Sequence, residues 1–83
     1  MTLEEVHRKS FRNRATVLKA KQCGCFYCLE TYPASALHPL ADWCDGGQTA
    51  RCPKCGVDSV VTDADAVPAT LAAMRERWFG DPR

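Results

Sequence analysis

The sequence lacks any apolar run long enough to cross a membrane, and its first residues lack the apolar segment that a secretory signal requires. Both absences predict a cytoplasmic protein with no membrane partner. Thiols stay reduced in the cytosol, and structural disulfides are rare there. A disulfide framework for the six cysteines of this chain is therefore disfavoured, although their number allows one.

Large apolar side chains are also scarce. Aromatic residues make up 8% of the 83 positions, and eleven of the apolar residues are alanine. A chain of this length predicts a single domain over 1–83, too small for a large catalytic cleft. Domains of this size commonly need a metal or disulfides for stability. The cysteines are therefore the first candidates for a stabilising role.

The chain has no strong excess of charge of either sign, since its formal net charge is +1. The charge is uneven, however. Residues 1–22 contain six Lys or Arg against two Asp or Glu, whereas residues 23–83 contain five against eight. Nucleic-acid-binding domains are usually more basic overall. A basic N-terminal segment is nevertheless present.

Residues 1–21 predict an amphipathic N-terminal helix, with a possible break midway. Thr2 followed by Glu5 has the form of a capping box. One side of this helix is apolar and the other is basic, which allows phosphate contacts or simply a solvated face. The apolar side contains Leu3, Val6, His7, Phe11, Val17 and Leu18, and the basic residues are Arg8, Lys9, Arg12, Arg14, Lys19 and Lys21.

Two CxxC units carry the chemistry of the sequence. Cys25 and Cys28 enclose Phe-Tyr, Cys52 and Cys55 enclose Pro-Lys, and 23 residues separate the units. This spacing is typical of a structural zinc site. Zn²⁺ prefers four ligands in a tetrahedron, and a two-residue spacer lets one tight turn supply two sulfurs. The sequence therefore predicts one structural Zn²⁺ on these four cysteines. Such a site is coordinatively closed, so neither catalysis nor a small-molecule substrate is expected.

The segments around the CxxC units predict a zinc ribbon over 22–62, within a small α+β domain. Short strands are expected at 29–32, 48–51 and 57–62, beside both turns. The β-branched segment VDSVVT disfavours a treble clef, in which the second unit would begin a helix. A C-terminal helix is expected over 67–80, because Pro68 suits its first turn and Gly80 its end. Its apolar stripe contains Leu71, Met74 and Trp78.

Cys23 and Cys44 are left over. Cys23 could replace Cys25 as a ligand or act as an exposed redox thiol, but a small buried side chain is the simpler interpretation for both. A redox CxxC enzyme fits poorly, because no βαβ pattern surrounds either unit. His38 followed by Pro39 resembles part of an HNH nuclease. That pattern is incomplete here, since no further histidine follows the second unit to hold a catalytic metal.

The motifs together resemble a family of small bacterial proteins that are described only as cytoplasmic. Its members contain a similar CGCFYC, a later segment like TALCPYCGIDSVIG, and an aromatic pair near the C-terminus. The resemblance extends from His7 to Phe79, with an insertion that contains His38-Pro39, and implies a zinc ribbon without implying an activity. Matching positions outside the cysteines are Trp43, Thr49, Ala50, Asp58, Ser59, Trp78 and Phe79.

The closed metal site and the lack of a complete catalytic constellation predict a non-catalytic protein that binds a protein partner. Trp78 and Phe79 are candidate anchors for that partner, because exposed aromatic side chains often dominate interfaces. Alternatively, they cover the apolar face of the ribbon. Nucleic-acid binding is the second hypothesis, and Arg8, Arg12 and Lys19 are its candidate contacts.

Overall fold

A computed structural model describes residues 2–37 and 43–80 and shows a small α+β structure. The helices of this part of the chain are α1 (Leu3–Arg8), α2 (Arg14–Lys19), α3 (Cys44–Gly47) and α4 (Pro68–Phe79). Its strands are β1 (Gln22–Cys25), β2 (Thr31–Pro33) and β3 (Val60–Thr62). Short 3₁₀ turns follow β2 at Ala34–Ala36 and β3 at Asp63–Asp65.

The three strands form one antiparallel sheet in the order β2-β1-β3. Cys23 in the central strand pairs with Tyr32 on one side and with Thr62 on the other. The strand expected at 48–51 does not form, and only an isolated bridge joins Cys44 to Thr49 there. Its backbone is hydrogen-bonded elsewhere, because Ala50 N donates to the Asn13 side chain.

Alternation along β1 separates the core into two clusters, one on each face of the sheet. Cys23 and Cys25 belong to the first cluster, together with Tyr32, Trp43 and Val60. The second cluster contains six buried residues, and Leu3 and Trp78 pack against it. This division follows from the period of two, which sends successive side chains of a strand to opposite faces. The buried members of the second cluster are Val6, Phe26, Val61, Ala66, Leu71 and Met74.

Helix α4 packs closely against the second face at Gly24. A Cβ atom on Gly24 would lie 3.0 Å from Leu71 Cδ1 and 3.2 Å from Ala66 Cβ. The helix expected over 67–80 is observed at Pro68–Phe79, one residue shorter at each end. Pro68 begins it, and Gly80 follows its last residue with a φ of 75°. Leu71 and Met74 are buried as the apolar stripe predicted.

The single N-terminal helix expected over 1–21 is two shorter helices. The predicted capping box is present, with Glu5 N donating to Thr2 Oγ1 and Thr2 N donating to Glu5 Oε1. The chain leaves the helix at Lys9, and Arg12 takes a left-handed φ of 48°. This break changes the helical phase. Phe11 and Leu18, which were expected on the apolar side, are therefore 50% and 55% exposed.

The buried side chain of Asn13 anchors the break between α1 and α2 to the protein interior by two hydrogen bonds. Its side-chain nitrogen donates to Val60 O at 3.0 Å, and its side-chain oxygen accepts from Ala50 N at 3.0 Å. The Asn13 side chain is thus a bridge between β3 and the segment before the second CxxC unit. It provides the Ala50 N–H group with the acceptor that a neighbouring strand would otherwise have supplied.

Candidate metal centre

The structure brings the Sγ atoms of four cysteines together, all within 4.8 Å of one another, so that they could hold a metal ion. These are Cys25 and Cys28 from the first CxxC turn and Cys52 and Cys55 from the second. Cys25 Sγ lies 3.6 Å from Cys55 Sγ, and Cys28 Sγ lies 3.7 Å from Cys52 Sγ. A disulfide would need about 2.05 Å. A tetrahedral ion with metal–sulfur bonds of about 2.3 Å separates its ligands by about 3.8 Å.

The first turn joins β1 to β2. Cys25 N donates to Glu30 O at 3.0 Å, and Leu29 N donates to Cys25 O at 2.9 Å. Within the turn, Tyr27 N lies 3.3 Å from Cys25 Sγ and donates to it. Backbone hydrogen bonds thus aim the Cys25 sulfur at the cluster.

The second turn repeats this geometry. Cys52 N donates to Val57 O at 2.9 Å, Gly56 N donates to Cys52 O at 2.8 Å, and Lys54 N donates to Cys52 Sγ at 3.3 Å. Gly56 has a φ of 80°, and Leu29 holds the same place in the first turn with a φ of 67°. A leucine at this place favours a less regular turn, because the left-handed φ suits glycine. The two turns are in fact equivalent, and Leu29 accepts a left-handed conformation.

The four thiols have unequal environments. Cys25 and Cys52, the first cysteine of each turn, are 0% and 2% exposed, whereas Cys28 and Cys55 are partly exposed. Burial raises the pKa of Cys28 to about 11 and also raises that of Cys55. Burial acts in the same direction on Cys52. There, however, the Tyr32 hydroxyl and the backbone N–H groups of Lys54 and Cys55 outweigh it and lower the pKa to about 7.

Two hydroxyl groups adjoin the buried sulfurs. Ser59 Oγ lies 3.0 Å from Cys25 Sγ. The Tyr32 hydroxyl is buried in the core cluster that contains Cys52 and lowers the pKa of Cys52, but it has no hydrogen-bond partner among the described residues. Sequence analysis assigned no role to either. Ser59 matched the family resemblance, and this was the one signal that could have drawn attention to it.

The two remaining cysteines lie outside the cluster of four. Cys23 is fully buried in β1. Burial, with a contribution from the charge of Asp63, raises its pKa to about 11. Cys44 is partly exposed, and its Sγ donates to Thr49 O at 3.6 Å. The interpretation of Cys23 as a small buried residue is confirmed, whereas Cys44 is only partly covered.

The predicted contact residues lie on several elements of the fold. Arg8 and Lys19 are exposed on different helices, and Arg12 lies 3.8 Å from the Asp45 carboxylate. Trp78 is partly buried and stacks on His7 with ring centroids 4.3 Å apart. Phe79 is 42% exposed. His38, the histidine of the HNH hypothesis, lies outside the described residues.

Comparison with known proteins gives no relative. No protein-family model, no curated protein and no solved structure matches this chain. The family resemblance therefore stays a prediction. In the described part of the chain, no helix combines the length and apolar character that crossing a membrane requires.

Proposed function

We propose that the protein is a cytoplasmic, non-catalytic adaptor whose fold is stabilised by one structural Zn²⁺. The observation that carries this proposal is the set of four sulfur atoms, with cross-turn distances of 3.6 Å and 3.7 Å. They match a tetrahedral ion far better than a pair of disulfides.

Zinc is the metal that this donor set favours. Four thiolates are soft ligands, and a tetrahedral S₄ arrangement is typical of zinc or of iron–sulfur centres. The two turns each present two sulfurs to a single central position, as in structural zinc sites. All four positions would be filled by protein, which leaves none for water or substrate. A role in fold stability therefore fits better than a role in catalysis.

The proposed architecture is a zinc ribbon with an unusual second half. The first CxxC turn is at the tip of the β1–β2 hairpin. The second turn has the same internal hydrogen bonds, but it leads into β3, which pairs with β1. The family resemblance supports the same architecture, and membership of that family is part of the proposal.

The proposed partner surface lies where α4 meets the first turn. The Tyr27 and Phe79 rings are in edge-to-face contact with centroids 4.8 Å apart, and both side chains are exposed. The Arg75 guanidinium lies 4.8 Å from the centre of the Tyr27 ring and donates to Tyr27 O. Rigid aromatic side chains with a neighbouring arginine have the composition of protein-interface hot spots. Trp78 contributes less, because it is stacked within the protein.

Nucleic-acid binding is the second candidate function. The exposed side chains of Arg8 and Lys19 favour it, and the division of the basic residues between α1 and α2 disfavours it. If phosphate contacts dominate, binding must weaken steeply as salt increases. Binding to a short duplex at low and high salt tests this alternative directly.

The test of the main proposal combines metal analysis with partner capture. Native mass spectrometry should show one zinc ion per chain, and none on Cys52→Ser. Proteins captured from nuclease-treated lysate should be lost with Phe79→Ala. They should be retained with Leu18→Ala, which removes an equally exposed apolar side chain from α2. A chain without zinc would overturn the metal site, and equal capture by both variants would overturn the partner surface.

A further inference from the structure

The cluster of four sulfurs has an inner and an outer pair. The inner pair, Cys25 and Cys52, is buried. Ser59 Oγ adjoins Cys25, and the Tyr32 hydroxyl is buried in the core cluster that contains Cys52. The outer pair, Cys28 and Cys55, is partly exposed. Each pair contains one cysteine from each turn, so each turn contributes one buried and one partly exposed sulfur.

Ser59 is fixed in position to donate to Cys25. Its Oγ lies 3.0 Å from Cys25 Sγ, and both residues are buried. Its carbonyl oxygen accepts from Phe26 N at 3.1 Å. Ser59 thus contacts two successive residues of the first turn, and its side chain has little freedom to point elsewhere.

The Tyr32 hydroxyl has no hydrogen-bond partner within residues 2–37 and 43–80. The residue is 5% exposed, and its oxygen is buried in the first cluster, to which Cys52 also belongs. A buried hydroxyl without a hydrogen bond has lost its hydration without compensation. A thiolate at Cys52, in the same buried cluster, is a stronger acceptor than a thiol and would supply the missing partner.

The charge of a loaded site makes such donors important. Four thiolates and a divalent cation carry a formal charge of −2. Lys54 lies within the second turn and Arg51 precedes it, but both side chains are exposed, so solvent screens their charge. The negative charge on the buried inner sulfurs therefore depends chiefly on hydrogen bonds for its stabilisation. Backbone N–H groups of the turns supply some of these, and the two hydroxyls are placed to supply more.

We propose that Tyr32 and Ser59 are positioning residues that donate O–H hydrogen bonds to the metal-bound thiolates of Cys52 and Cys25. These bonds stabilise the thiolate form of the inner ligands, offset part of the site's negative charge and so raise the affinity of the site for its metal. The inference rests on the proposed function of the cluster as a metal site. It adds the two residues outside the CxxC units on which that site depends.

The experiment uses the full chain with Tyr32→Phe and Ser59→Ala. Their matched controls are Tyr27→Phe, inside the first turn, and Ser35→Ala, at an exposed position. Zinc affinity is measured by competition with a chromophoric chelator. We expect each test variant to bind zinc at least about 10-fold more weakly than wild type, the effect usual for groups that orient metal ligands. The controls should stay within about twofold of it.

A spectroscopic measurement separates hydrogen bonding from general loss of structure. In the Co²⁺-loaded protein, a hydrogen bond to sulfur lowers the energy of its lone pair and raises the energy of the sulfur-to-cobalt transition. Tyr32→Phe and Ser59→Ala should therefore shift this absorption to longer wavelength, and the controls should not.

Three results would overturn the inference. If Tyr32→Phe and Ser59→Ala bind zinc within about twofold of wild type, the metal site stands but the two hydroxyl groups do not contribute to it. An equal loss in Tyr27→Phe would show that the effect is not specific to Tyr32. A wild-type chain that binds neither zinc nor cobalt would refute the metal site itself, and this inference with it.

Discussion

The side-chain amide of Asn13 donates to the carbonyl oxygen of Val60, 47 residues further along the chain, at 3.0 Å. The same side chain accepts from Ala50 N. One polar residue in the break between α1 and α2 therefore holds β3 to the segment that enters the second CxxC turn. We expect Asn13→Ala to lower the free energy of unfolding by about 2–4 kcal/mol, because it leaves two buried backbone groups without partners.

Chemical denaturation of the zinc-loaded protein measures this effect. Thr16→Ala is the control, since this exposed residue lies on the neighbouring helix. A loss below about 0.5 kcal/mol for Asn13→Ala, equal to that of the control, would show that water replaces the bridge.

Gly24→Ala tests the close approach of α4 to the sheet. The added Cβ would lie 3.0 Å from Leu71 Cδ1, so α4 must shift or Leu71 must change rotamer. We expect a loss of about 1–3 kcal/mol in stability, as for other overpacked cores. Because Gly24 faces away from the cysteines, the free energy of zinc binding should fall by no more than this loss of folding free energy. A large loss of zinc affinity at unchanged melting temperature would contradict this arrangement of the two faces.

Leu29→Gly should stabilise the first CxxC turn. Leu29 has a left-handed φ of 67°, which costs a residue with a Cβ about 1–2 kcal/mol, and Gly56 has the same role in the second turn. We expect Leu29→Gly to raise the melting temperature and Gly56→Leu to lower it. Thermal unfolding at fixed zinc concentration measures both, and a decrease for Leu29→Gly would show that the Leu29 side chain outweighs its backbone strain.

Metal removal should unfold the part of the chain that the cysteines hold together. In small zinc domains, structural zinc binds with a free energy of about 10–16 kcal/mol, and this energy drives folding because the metal-free chain is unfolded. We expect a strong chelator to abolish the near-ultraviolet circular dichroism of the buried Trp43, and readdition of zinc to restore it. A Cys52→Ser variant that melts like wild type would refute the structural role.

Cys23 should resist alkylation in the folded protein. It is fully buried, and its raised pKa of about 11 keeps it neutral at pH 8, so reactive thiolate is scarce. Because the pKa of Cys23 is raised in the folded protein, its thiol stays protonated below the usual value of 9. It loses its proton as the pH rises through about 11. Mass spectrometry after brief iodoacetamide treatment should find Cys44 modified before Cys23. Modification of Cys23 at the rate of an unfolded peptide would contradict its burial.

Local signals in the sequence predicted the parts of the structure that depend on neighbouring residues. The proline and glycine at its ends delimit α4, and the Thr2–Glu5 pair marks the start of α1. The spacing of Cys25, Cys28, Cys52 and Cys55 predicted that they would converge.

The missed features all depend on residues far apart in the chain. The Asn13 bridge, the contact of Ser59 with Cys25 and the position of Tyr32 beside Cys52 arise only when the folded chain juxtaposes these residues. A serine after a CxxC unit or a tyrosine in a short strand has no local pattern that shows its partner. The strand expected at 48–51 also depends on distant residues. It does not form, and the Ala50 N–H group donates instead to the side chain of Asn13.

Tyr27 lies between two of the cysteines, and Arg75 and Phe79 of α4 hold it from outside the turn. Under the proposed function, a partner that binds Tyr27 and Phe79 would therefore stiffen the turn that presents Cys25 and Cys28 to the metal. Binding equilibria coupled in this way are reciprocal, so each event strengthens the other by the same factor. Occupancy of this surface would slow the escape of zinc to chelators, and copies of the chain without zinc would compete poorly for the partner.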